Sequence, residues 1–155
     1  MGKKYTVIRD TREQSGRGWV FEPEKDCLGT KTQTLSTGDY TLEGFEHLLS
    51  IERKGRISEF VKNICEDRFE KELCRLDDFL WPFIILEFTV DDIFNWPKSS
   101  GLSPKMISTL KTSPRFILKR INDILVKHKT KVIFAGLYGK SFAESIFKRV
   151  AEHDC

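Results

Sequence analysis

The chain has 155 residues, of which 39% are hydrophobic and 32% charged, and its formal net charge is +3. That length suits one domain with a core large enough to fold without disulfides, and the composition excludes collagen-like and low-complexity classes. The longest apolar stretch, 79–90, is broken by Pro82 and Glu87 and is too short to span a bilayer, which takes about 20 residues.

Tyr5 to Asp10 reads as a strand rich in β-branched residues, followed by a loop with Gly16, Gly18 and Pro23. Lys31 to Leu35 is a weak strand with alternating threonines. Asp39 to Glu43 and Leu48 to Lys54 flank a Gly44-Phe45-Glu46-His47 turn and read as a hairpin. A long amphipathic helix is expected from Ser58 to Leu80, with Phe60, Val61, Ile64, Phe69, Leu73 and Leu76 recurring at helical spacing. Phe83 to Val90 is almost wholly apolar, as in a strand covered on both faces.

The second half opens with a loop from Asn95 to Leu102. Ser103-Pro104 and Ser113-Pro114 each pair an N-cap with proline at the first helical position. The second should start a helix running to about Lys127, with Ile117, Leu118, Ile121, Ile124 and Leu125 on its buried side. Lys131 to Leu137 reads as a further strand and Lys140 to His153 as a final helix. Strands alternating with helices after a hairpin point to a mixed α/β sheet with helices on both faces.

Charge is unevenly spread. Between Pro97 and Arg149 there are 12 Lys/Arg and two acids, Asp123 and Glu144, a net +10, while the rest of the chain carries −7. A basic third beside an acidic remainder suggests a polyanionic partner and carboxylates with a separate task; a solvated basic helical face is the plainer alternative. The four cysteines, Cys27, Cys65, Cys74 and Cys155, form no CxxC, and none lies close to a histidine with zinc spacing. They are expected to be reduced thiols of a cytosolic protein. His47, His128 and His153 are scattered, which speaks against a zinc site. The first residues lack the apolar segment of a signal peptide, and the myristoylation-like pattern at Gly2 reads as chance.

The hairpin carries the chemistry. Centred on Phe45-Glu46, it places Tyr40 opposite Ile51 and Leu42 opposite Leu49 on an apolar face. On the other face Asp39 opposes Glu52, with Thr41, Ser50 and Lys54 beside them. Opposed residues have Cβ atoms about 5 Å apart, where like charges repel. A divalent cation offsets that repulsion, and oxygen ligands suit Mg²⁺ or Mn²⁺. Lys54 lies two residues beyond Glu52 and shares its face. The alternative is a solvated hairpin face with an exposed Glu-Lys pair, and a one-residue slip in register would separate the carboxylates. At the end of the first strand, Asp10 and Glu13 are candidates to complete a metal cluster, with Arg12 reaching a phosphate; a charged strand exit is the alternative.

Together these residues resemble the nuclease domain of the XPF family, a branch of the PD-(D/E)xK nucleases. The family signature appears in order as Asp10-Thr11-Arg12-Glu13, Gly38-Asp39 and Glu52-Arg53-Lys54, followed by Arg68 of Asp67-Arg68-Phe69 and by Glu87 inside Ile84-Ile85-Leu86-Glu87-Phe88. The resemblance covers residues 5–90. It implies a restriction-endonuclease-like sheet flanked by helices on both faces, with 1–155 as one nuclease domain: catalytic motifs in 1–90, a basic part of the same domain in 97–149. It also implies a Mg²⁺- or Mn²⁺-dependent endonuclease acting on branched or flapped DNA, pairing as a homodimer, away from membranes, in the cytoplasm or wherever DNA is. The rival reading is a catalytically inactive junction-binding module of the same fold.

Carried over residue by residue, Asp39 and Glu52 are metal ligands and Lys54 the catalytic lysine. Asp10 is a further catalytic ligand, and Glu13 is another metal ligand. Arg12, Arg53 and Arg68 serve phosphate contacts or support. The family's aspartate four residues after Glu-Arg-Lys is here Ser58, with Glu59 next; Ser58 is read as a displaced acid position or as a helix cap. Helix-hairpin-helix domains, common in relatives, have no counterpart in these residues, and the basic second half, including Lys119 and Arg120, is expected to supply DNA grip without reading sequence. Trp96 is expected to pack on the core, the alternative being stacking on an unpaired base. Glu87 is expected either in the site or paired with a buried arginine such as Arg68.

Overall fold

The computed structural model describes residues 2–13 and 16–153. Cys155 lies outside them. Six strands form one sheet: β1 (Tyr5–Asp10), β2 (Cys27–Gln33), β3 (Tyr40–Leu42), β4 (Leu49–Lys54), β5 (Trp81–Leu86) and β6 (Lys131–Phe134). Their spatial order is β2-β1-β3-β4-β5-β6. β3 runs antiparallel to both neighbours, whereas β1–β2, β4–β5 and β5–β6 are parallel pairs. The helices are α1 (Ile57–Ile64), α2 (Asp67–Leu76), α3 (Val90–Phe94), α4 (Pro104–Ile107), α5 (Pro114–Lys127) and α6 (Gly139–Glu152).

Two apolar clusters hold the layers together. One joins Phe60, Phe69, Leu73, Ile117 and Ile121 to Ile84 and Leu86, and so packs α1, α2 and α5 on one sheet face. The other joins Ala143, Phe147 and Val150 of α6, with Trp19 and Phe21, to Val7, Tyr40, Ile51 and Ile85 on the opposite face. The expected mixed sheet with helices on both faces is therefore present. Among the described residues no helix is long and apolar enough to cross a membrane.

The hairpin forms in the expected register, with Tyr40 opposite Ile51. Ser103 and Ser113 cap α4 and α5 by accepting from the amides of Met106 and Phe116. Other boundaries moved. The weak second strand starts at Cys27 rather than Lys31, and α3, closed by a reciprocal Thr89–Asp92 capping box, takes up the end of the stretch expected to be strand. Leu118 and Leu125 are 37% and 51% exposed, so the buried stripe of α5 is narrower than expected.

The expected 58–80 helix is two helices. Phe60 and Phe69 are nine residues apart, so at about 100° per residue a straight helix would set them on opposite sides. Both are buried and their rings meet edge to face at 6.2 Å. Glu66, in extended conformation, resets the helical phase so that both stripes reach one core. Ser58 is not a cap: the helix begins at Ile57, behind Arg56, with no side-chain cap.

Candidate active site

Three strand ends meet at one place. Asp10 is the last residue of β1, Asp39 immediately precedes β3, and Glu52 lies toward the end of β4. The Asp10 amide donates to the Asp39 carbonyl at 2.8 Å and the Asp39 amide to the Ile51 carbonyl at 2.8 Å, which fixes the three segments side by side. Gly38 makes the entry into β3 feasible. Its φ is +82°, a conformation that other residues resist, and a Cβ there would overlap the Ser50 hydroxyl.

The second face of the hairpin is covered rather than solvated. Glu52 is 9% exposed and Lys54 6%, and the Lys54 ammonium donates to Glu52 Oε1 at 3.2 Å. It also lies 5.7 Å from the centre of the Phe69 ring of α2. Asp39 is half-buried, with Oδ2 accepting the Arg53 amide at 2.7 Å. Charge on these groups is expensive to bury. Burial, and then the Glu13 carboxylate, push Asp39 up to about 7, against the pull of the Arg53 amide and the Lys54 ammonium. Burial and then Asp39 raise Glu52 well above the usual carboxylate range; Glu72 adds to this and Lys54 opposes it. Burial disfavours the Lys54 charge, but Glu52, Glu72 and Asp39 together hold its pKa above the usual lysine value.

An open cleft of about 550 Å³ leads to these groups. Asp39, Glu52 and Glu13 form its less exposed floor, while Arg12, Arg17, Arg56 and Lys62 stand exposed around it. A second cleft of about 360 Å³ flanks Glu52 and Lys54 on the α2 side and includes Arg68, Glu72 and Arg75. The chemistry available is a hard-oxygen donor set beside an ammonium, ringed by cations.

The other expected residues have specific neighbours. Both Asp10 oxygens are engaged: Oδ2 with the Arg12 Nε at 2.8 Å and Oδ1 with the Leu35 amide at 2.8 Å. Glu13 approaches Arg53 at 3.6 Å through Oε1, and its buried Oε2 has no hydrogen-bond partner among the described residues. Arg53 is only 16% exposed; it pairs with Glu87 and lies 5.7 Å from the centre of the Trp19 ring. Its side chain therefore braces the site rather than offering a free phosphate contact. Glu87 is paired with Arg53, not with Arg68, which is exposed and bound to Glu66.

Arg120 is also engaged, with the Ile64 carbonyl, Asp123 and Glu70, so it ties α5 to α1 and α2, while Lys119 is exposed. Trp96 is buried and donates to Thr112, as expected of a core residue. Glu59 is exposed in the first turn of α1 and lines the larger cleft.

Sequence reasoning missed Glu72, because only the break at Glu66 turns it toward Glu52. It missed Arg17, Arg56 and Lys62 as well, since nothing in their spacing distinguishes them from ordinary surface charge. Nor does sequence spacing show that Glu70, Cys74 and His128 meet: their ligand atoms lie within 4.8 Å of one another.

The arrangement of strands and helices is that of the restriction-endonuclease-like α/β fold. Solved structures carry the comparison further, to XPF from Aeropyrum pernix. One such structure superposes with a TM-score of 0.63 at 16% identity, covering 96% of this chain and 62% of that one. A second, of XPF from Aeropyrum pernix in complex with DNA, gives a TM-score of 0.62 at 17% identity, covering 95% of this chain and 64% of that one. The chain thus shares its fold with these XPF structures and spans somewhat under two thirds of those chains. No protein-family model matches the sequence, and no curated protein matches it.

Proposed function

We propose that this chain is a Mg²⁺- or Mn²⁺-dependent structure-specific endonuclease that hydrolyses phosphodiester bonds of DNA at branched or single-strand/double-strand junctions. One observation carries this reading: Asp39 and Glu52 are brought together at the strand ends, beside Lys54, at a cost in buried like charge that a cation relieves. The donors fit such an ion. They are carboxylate oxygens, the preferred ligands of hard divalent cations, and Glu13 Oε2, without a hydrogen-bond partner among the described residues, adds another buried oxygen. Asp39 and Glu52 would hold the ion, with Glu13 alongside. Asp10, whose oxygens already fix Arg12 and the Leu35 amide, is the weaker ligand and the stronger organiser.

The ion would supply Lewis-acid activation of water and stabilisation of charge developing on the scissile phosphate. The remaining work falls to the chain. Lys54, held beside Glu52, orients the attacking water and donates to a phosphate oxygen. Arg12, Arg56 and Lys62 draw the phosphodiester backbone into the larger cleft, and Arg68 meets it on the α2 side. Arg53 acts through its amide, which holds Asp39, and through its ion pair with Glu87. Lys119 extends the grip along the backbone without sequence preference.

Residues 1–155 act as one nuclease domain in this reading, located wherever DNA is, and two copies pair as a homodimer, which light scattering tests. The activity itself is tested with labelled flap, fork and four-way junctions against plain duplex, in Mg²⁺ and in EDTA. Junction cleavage in Mg²⁺ alone is the expected result. Junction binding without cleavage in either Mg²⁺ or Mn²⁺ would instead make the chain an inactive binding module.

A further inference from the structure

A second group of metal-binding side chains lies away from the cleft. Glu70 and Cys74 are i and i+4 on α2, so they share one side of that helix. His128 ends α5, and its side chain is only 6% exposed. Its Nε2 lies 2.8 Å from Glu70 Oε1, and its Nδ1 lies 2.8 Å from Asp77 Oδ2. Asp77 also accepts the Lys129 amide at 2.8 Å, so the second carboxylate is itself anchored. A carboxylate on the far nitrogen of a histidine is the arrangement that fixes the tautomer and orientation of a metal-bound imidazole.

We propose that Glu70, Cys74 and His128 form a three-ligand site for Zn²⁺ or a chemically similar transition-metal ion, with the fourth position open to solvent and Asp77 supporting His128. The donor set decides the class of ion. Thiolate with imidazole and carboxylate suits zinc, cobalt and their neighbours, and it is a poor match for Mg²⁺ or Mn²⁺. The distances fit. Around a tetrahedral ion, bonds of about 2.0–2.3 Å put ligand atoms roughly 3.3–3.7 Å apart. Donor atoms already within 4.8 Å of one another reach this by small side-chain movements, and Glu70 and Cys74 are exposed enough to make them. The ion would take the place of the contact between His128 Nε2 and Glu70 Oε1, and Arg120, 3.7 Å from Glu70 Oε2, remains on the other carboxylate oxygen. The end of α5 favours a cation as well.

Such an ion would fasten α2 to the junction of α5 and β6. Glu72 lies two residues from Glu70 and therefore points to nearly the opposite side of α2, toward Glu52 and Lys54. A zinc staple on one side of the helix would thus steady the side that faces the nuclease cleft. The site stands independently of that cleft's function, because it rests on different residues and a different class of ion.

The test is a Co²⁺ titration of the full chain, stripped of metal and kept reduced with a phosphine. The expected result is a thiolate-to-cobalt charge-transfer band with the visible bands of a tetrahedral site, bleached by Zn²⁺ and unaffected by excess Mg²⁺. Cys74→Ser should abolish the charge-transfer band and Cys65→Ser should leave it intact. Asp77→Asn should weaken Co²⁺ binding about 10–100-fold. Zn²⁺ should raise the melting temperature of the wild type and not of Cys74→Ser. Absence of the band in the wild type, or its persistence in Cys74→Ser, would overturn the proposal and leave His128 simply placed between two carboxylates.

Discussion

Replacing Glu52 by glutamine should make the metal-free protein more stable, an unusual outcome for a substitution at a residue only 9% exposed. The gain follows from the burial of charge. Burial, and then the Glu13 carboxylate, raise Asp39 from 3.8 to about 7, so a charge is unfavourable at this site. Glu52 is shifted in the same direction by burial and by Asp39. Glutamine removes one of these charges but also the nearest partner of Lys54, which keeps Asp39 and Glu72. A net gain on the order of 1 kcal/mol is expected, or about 2–4 °C in melting temperature for a domain of this size.

The sign with pH follows from proton uptake. Asp39 and Glu52 bind protons more readily in the folded state, so they lower stability progressively as pH rises from about 4 toward their raised folded values. The advantage of Glu52→Gln should therefore be larger at pH 8 than at pH 5. Mg²⁺ should raise the melting temperature of the wild type at pH 8 and leave the variant unmoved. Thermal scans at the two pH values, with Mg²⁺ and with EDTA, read all of this. A variant less stable than wild type by the same amount at both pH values, in EDTA, would refute the reasoning.

Asp39→Asn should abolish cleavage in Mg²⁺ while binding in EDTA changes less than about threefold, read by gel shift beside a cleavage assay. Lys54→Ala should slow single-turnover cleavage at least about tenfold with little change in Kd; an equal loss in Kd would assign Lys54 to binding instead. Gly38→Ala should cost about 1–3 kcal/mol, because a positive φ and the Ser50 hydroxyl both resist a side chain, and should lower activity by displacing Asp39. Lys119→Ala should reduce the salt dependence of DNA binding by about one phosphate contact, whereas Arg120→Ala should chiefly lower thermal stability through its ties to Ile64, Asp123 and Glu70.

Much of this was legible in the sequence because it is local. The alternation of Tyr40, Leu42, Leu49 and Ile51 specifies which hairpin face enters the core, and that alternation sets Asp39 and Glu52 on the other. The Ser-Pro pairs mark α4 and α5 by capping chemistry alone. What was not legible depends on tertiary packing. The break at Glu66 is invisible to periodicity because each half keeps good helical spacing; only the need to bury both Phe60 and Phe69 reveals it. Glu72 enters the site as a consequence of that break. Arg53 reads in sequence as a phosphate contact or a support, and only the fold shows that Glu87 and Trp19, each 34 residues away, hold its side chain. Glu70 and Cys74 share an i, i+4 spacing, but their grouping with His128, 58 residues beyond Glu70, carries no sequence signal.

The central claim is that Asp39 and Glu52 hold a hard divalent ion. Anomalous diffraction from crystals soaked in Mn²⁺ tests it most directly. A peak between the Asp39 and Glu52 carboxylates, lost in Glu52→Gln crystals, is the predicted result; an ordered but empty cleft at saturating Mn²⁺, or a peak unaffected by the substitution, would contradict it.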